Sequence, residues 1–180
     1  HILYKAIGIR QGDKVAVCAR NSAAWAMTFL ATMTYGAVPV PLLHEFHPDQ
    51  IEHLTTHSES KLLFTEKSIA DNLDVERLGC VEAVLLLDSC IPVFSRNDTL
   101  PQLVEKMPEA FARIYPGGFS PSDLHCADPD MDSMALINYT SGSSGNPKGV
   151  MLSYRNIWSN VKFALDNIDF LHPGDNMLSM

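Results

Sequence analysis

Residues 134–153 read MALINYTSGSSGNPKGVMLS, and this stretch decides the rest. Met134–Thr140 is apolar and β-branched enough for a strand, and Val150–Ser153 reads as a second strand. Between them lies Ser141-Gly142-Ser143-Ser144-Gly145-Asn146-Pro147-Lys148-Gly149. Gly142 and Gly145 open backbone angles closed to other residues and let the main chain approach a ligand closely. Successive amide N–H groups can then converge on anionic oxygens. Ser141, Ser143 and Ser144 add hydroxyl donors at little bulk, Lys148 adds a positive charge, and Pro147 stiffens the exit. Gly/Ser tracts are often simple linkers or turns, but a linker has no need of a lysine at that place between two apolar strands. A Walker A loop is excluded, because it needs Gly-Lys-Ser/Thr followed by a helix. Here Lys148 precedes Gly149 and a strand follows.

Working outward, a helix is predicted from about Arg155 to Leu165, with Ile157, Val161, Ala164 and Leu165 on one face. Upstream, Tyr115–Asp132 is rich in Pro, Gly, Ser and Asp and reads as a long exposed connection. Asp13–Cys18, Val38–Leu42, Lys61–Thr65 and Glu82–Leu87 are predicted strands. The prolines of Val38–Leu42 place it at an edge or make it short, and the continuous apolar run of Glu82–Leu87 suits a strand covered on both faces. Ala23–Tyr35, capped by Asn21 or Ser22, is a predicted helix, apolar nearly all round and so expected between other elements. Another helix opens at Pro48, with Asp49 and Glu52 in its positive first turn. Ser68–Leu78 is a further predicted helix, and Thr99 with Gln102 forms a capping-box pattern for one from Leu100, bent or ended by Pro108. Strands alternating with helices predict an α/β fold: a parallel-rich sheet with helices on both faces.

The chain has 180 residues, 46% apolar and 19% charged, which suits one packed domain rather than a disordered segment. A net charge of −8 with scattered basic residues speaks against nucleic acid as a partner. No apolar run is long enough to span a bilayer. Cys18, Cys80, Cys90 and Cys126 lack zinc or redox spacing and read as reduced thiols of a cytoplasmic protein, Cys18 as a buried one. His53 and His57 sit at helical i, i+4 spacing, but without the Glu of the zinc-protease motif they read as a solvated helix face. His44-Glu45-Phe46-His47 has no recognised ligand spacing, the sequons at Asn97 and Asn138 are incidental, and Trp25, Met27 and Met33 read as packing. The start without Met and the strand-like end at Asn176–Met180 suggest a domain truncated at both ends.

Tyr139–Val150, YTSGSSGNPKGV, closely resembles the phosphate-binding signature of the adenylate-forming superfamily, which includes acyl-CoA synthetases, peptide-synthetase adenylation domains and firefly luciferase. Ser144 stands where Thr is usual and keeps the hydroxyl. Gly12–Val17 with Asn21-Ser22, Tyr35–Leu42 and Met151–Ile157 extend the resemblance over almost the whole chain, with Tyr154 replacing a frequent His. The resemblance implies a partial N-terminal AMP-binding domain over residues 1–180, part of an acyl-CoA synthetase-like fold. It implies that a carboxylic acid, most like a long-chain fatty acid, is activated by ATP as an acyl-adenylate and passed to coenzyme A. Thr140, Ser141, Gly142, Ser143, Ser144, Gly145 and Lys148 would hold the ATP phosphates, and Ser143 is the candidate contact for Mg²⁺. Catalytic residues would follow the loop beyond residue 180, so the fragment alone is expected to be inactive. An aryl-acid ligase, a peptide-synthetase adenylation domain and a non-catalytic module keeping the fold stay open as alternatives, as do peripheral membrane contact and the oligomeric state.

Overall fold

The structure, a computed structural model, describes residues 1–140, 147–168 and 172. After a short helix α1 (Ile2–Ile7), the chain runs β1 (Lys14–Cys18), α2 (Ala23–Tyr35), β2 (Val38–Leu42), α3 (Pro48–His57), β3 (Ser60–Thr65), α4 (Lys67–Ala70) and β4 (Ala83–Leu86). It continues through β5 (Pro92–Ser95), α5 (Leu100–Glu105), α6 (Met107–Ile114), β6 (Met134–Thr140), β7 (Lys148–Ser153) and α7 (Tyr154–Asn167). Strands β2-β1-β3-β4-β5 form one sheet in that order. The first four are parallel, and β5 is antiparallel to β4. The predicted parallel-rich α/β sheet is therefore present, and β2 lies at its edge, where two prolines without N–H donors are tolerated.

Alternation along the strands builds a core on each face. Ala16 and Cys18 of β1, Val38, Val40 and Leu42 of β2, Leu63 and Val84 pack with Ile51 and Leu54 of α3. Val15, Val17, Leu62, Phe64, Ala83 and Leu85 pack on the other side, with Tyr4, Trp25, Tyr35 and Leu100. Helices thus cover both faces, as right-handed crossovers running in opposite directions from β1 require.

Several local expectations are corrected. Helix α2 is capped by Ser22, whose hydroxyl accepts from Trp25 N–H, but Met27 and Leu30 are 65% and 59% exposed, so it is not sandwiched. Residues 68–78 do not form one helix: α4 stops at Ala70, and Val75–Arg77 is a separate 3-10 turn capped by Asp74. Glu52 does not serve the first turn of α3. It is buried, accepts from Asp74 N–H at 2.7 Å, and faces Arg77 at 2.9 Å. The capping box at Thr99 does not form, because the Thr99 hydroxyl bonds Asn97 Oδ1 at 2.7 Å. Pro108 instead sits in the first turn of α6. Residues 115–132 are the exposed connection expected, tied to α2 by Ala127 N–H donating to Thr34 O at 2.8 Å.

Candidate functional site

Strands β6 and β7 form a separate antiparallel hairpin, with β6 beside β2. Its register pairs Asn138 with Val150, Tyr139 with Gly149 and Thr140 with Lys148. Thr140 and Lys148 are both exposed at the open end of this ladder. They are the two predicted site residues that the structure describes, and it brings them together as cross-strand neighbours. Ser141, Gly142, Ser143, Ser144, Gly145 and Asn146, which carry the predicted cradle and the candidate Mg²⁺ contact, lie outside the described residues. The β7 start falls at Lys148, two residues before the expected Val150.

Directly behind the Thr140–Lys148 pair, Tyr139 is buried against the sheet. A Cβ on Gly149 would stand 3.2 Å from Tyr139 Cε1 and 3.2 Å from Ile137 Cγ2, so the glycine leaves room for both side chains. The Tyr139 hydroxyl shares a hydrogen bond of 2.7 Å with His57 Nδ1, and it reaches Leu54 O at 3.4 Å. Burial raises the Tyr139 pKa above the ordinary phenol value, with an opposing contribution from Ser58. Sequence reading missed this contact. Tyr139 and His57 lie far apart in the chain, and nothing local signals their meeting. His57 is exposed, as the solvated-face reading expected, yet its Nδ1 is engaged.

The other end of the hairpin is also fixed. Ser153 caps α7, accepting from Asn156 N–H, and Asn156 Oδ1 accepts from Ser153 N–H at 2.9 Å. Arg155 grips Asp132 through two bonds of 2.7 and 3.0 Å. That pairing holds the Asp132 carboxyl below its usual range and the guanidinium above its own. Tyr154, at the position of the frequent His, donates to Met33 O at 3.3 Å and so joins α7 to the end of α2.

A cleft of about 290 Å³ opens beside this stem, between Asn21, Trp25, Leu43, His44, Asn138 and Tyr139. It lies past the carboxyl ends of β1, β2 and β6, the rim on which open α/β sheets bind ligands. Among the described residues no group of three or more His, Cys, Asp or Glu side chains could hold a metal ion. Cys18 is buried at the floor of the rim, and loss of hydration pushes its thiol up to about 12.

The open, mostly parallel sheet is that of an α/β protein, and superposition on solved structures gives the chain the fold of the adenylate-forming ligases. A long-chain-fatty-acid-CoA ligase from Archaeoglobus fulgidus superposes with a TM-score of 0.64 and 26% identity, over 90% of this chain and 29% of that one. ATP-bound MatB from Rhodopseudomonas palustris superposes with a TM-score of 0.66 and 25% identity, over 92% of this chain and 30% of that one. Over residues 1–180 the chain matches the AMP-binding enzyme family, and it belongs to that family. It is 28% identical over 160 residues to the long-chain-fatty-acid–CoA ligase FadD15 of Mycobacterium bovis, covering 88% of this chain and 25% of the relative. The chain thus spans about a quarter of the length of that relative. No helix among the described residues is long and apolar enough to cross a membrane.

Proposed function

We propose that residues 1–180 are the phosphate-binding part of an ATP-dependent acid–thiol ligase, and that the intact protein acts on a long-chain fatty acid and coenzyme A in the cytoplasm. The observation that carries the reading is the cross-strand Thr140–Lys148 pair, which brackets the hydroxyl- and glycine-rich sequence between them. In this reading a carboxylate oxygen of the acid attacks the α-phosphorus of ATP. The bond from that phosphorus to the bridging oxygen breaks, and pyrophosphate leaves. The thiol then attacks the acyl carbonyl, loses its proton to water and expels AMP. Ser141, Gly142, Ser143, Ser144 and Gly145 hold the β- and γ-phosphates, with Thr140 and Lys148 flanking them. Fixed dipoles of this kind favour the charge that grows on the departing pyrophosphate. Ser143 remains the proposed contact for the ion that accompanies ATP. The names of the Archaeoglobus and Mycobacterium ligases support the fatty-acid assignment. Turnover is assigned to the intact protein and not to residues 1–180 alone.

The test is ATP–pyrophosphate exchange by the intact protein with hexadecanoate, benzoate and a mixture of amino acids as separate acids. Exchange is expected with hexadecanoate. Gly142→Val should abolish it, and Lys148→Ala should weaken ATP binding about 10- to 100-fold, the value of a charge-assisted contact. Exchange confined to benzoate or to amino acids would reassign the acid. ATP binding without exchange on any acid would make the protein a binding module.

A further inference from the structure

Among the described residues, the hairpin that presents Thr140 and Lys148 forms a sheet of its own, apart from the five-stranded one. Its side chains Ile137 and Tyr139 join it to the core that β2 lines. The polar one is Tyr139, whose ring edge meets His57 with centroids 5.9 Å apart and planes at 66°, and whose hydroxyl shares the 2.7 Å bond with Nδ1. Helix α3 ends at His57 and packs by Ile51 and Leu54 into the core that also contains Ile137 and Tyr139. The bond thus links a fixed helix end to the residue immediately before Thr140. On the opposite strand Gly149, immediately after Lys148, pairs with Tyr139, and a Cβ there would stand 3.2 Å from the same ring. One tyrosine accordingly sits next to Thr140 along β6 and opposite the neighbour of Lys148 on β7.

We infer that His57 is a positioning residue for the phosphate-binding hairpin, acting through Tyr139 on Thr140 and Lys148. This rests on the phosphate-binding reading proposed above. His57 touches no nucleotide in this account, and its removal changes how well the stem is held rather than what it offers. Because the tip takes the β- and γ-phosphates, loosening the stem weakens ATP and leaves AMP alone. A general loss of structure would weaken both.

The experiment measures Kd for MgATP and for AMP by calorimetry on the intact protein and on His57→Ala, Tyr139→Phe, the double variant and His57→Gln. His57 is exposed, so its replacement leaves the core intact. A lost hydrogen bond of ordinary strength predicts about a five-fold rise in Kd for MgATP in each single variant. The double variant should show no further rise, AMP should be unchanged, and His57→Gln, whose amide can meet the hydroxyl, should recover most of the loss. Equal weakening of ATP and AMP, additive single effects, or no change in ATP affinity would overturn the assignment. Gly142→Val separates the two levels of the argument. If it abolishes the preference for ATP over AMP while His57→Ala does not touch it, only the role of His57 fails. If the wild-type protein shows no such preference, the phosphate-binding reading and the role of His57 fall together.

Discussion

Gly149 is a glycine of the motif for which the structure gives a packing reason. No unusual backbone angle demands a glycine there; the demand comes from Tyr139 and Ile137, each 3.2 Å from where a Cβ would stand. An added methyl has to displace a buried ring or a strand side chain, and overpacking of this sort costs about 1–3 kcal/mol. Gly149→Ala should therefore lower the denaturation midpoint of the intact protein and weaken MgATP in the same variant. Unchanged values for both would show that the hairpin yields freely. Composition exposed the hydroxyls, glycines and Lys148 of the motif to direct reading. The partners of Tyr139 were hidden, because a contact between residues 57 and 139 depends on how α3 and β6 cross, not on any local pattern.

Among elements, strands buried on two faces were the most legible. The runs at 14–18, 60–65 and 83–86 have the β-branched and apolar residues that both cores need. Strand β5 escaped notice because Pro92–Ser95 is short, begins with proline and is only partly covered. Helix caps divide by what competes for the hydroxyl. Ser22 has no rival partner among the described residues and accepts from Trp25 N–H at 3.1 Å. Thr99 is drawn away by Asn97. Ser22→Ala should cost about 1 kcal/mol in urea unfolding, whereas Thr99→Ala should change stability by less than about 0.5 kcal/mol as a surface substitution without a cap to lose. Equal losses at the two sites would contradict this account of capping. Helix α2 shows the limit of composition: apolar residues all round implied a sandwiched helix, yet one side is open at Met27 and Leu30.

At the scale of the molecule, alternation of strands and helices sufficed for a parallel-rich sheet covered on both faces, since few other arrangements bury such segments. The strand order, and the separation of β6 and β7 into their own hairpin, did not follow from pattern alone, because they depend on which edges meet after folding. That separation gives the site its logic. The hairpin packs through Ile137 and Tyr139 into the core that β2 lines, and the proposed phosphate-binding sequence runs between Thr140 and Lys148. A crystal structure of the intact protein with a non-hydrolysable ATP analogue tests this most directly. The account predicts β- and γ-phosphate oxygens within hydrogen-bond distance of backbone amides at residues 141–145, with the Lys148 ammonium alongside. A triphosphate bound elsewhere, with that segment facing away from it, would contradict the account.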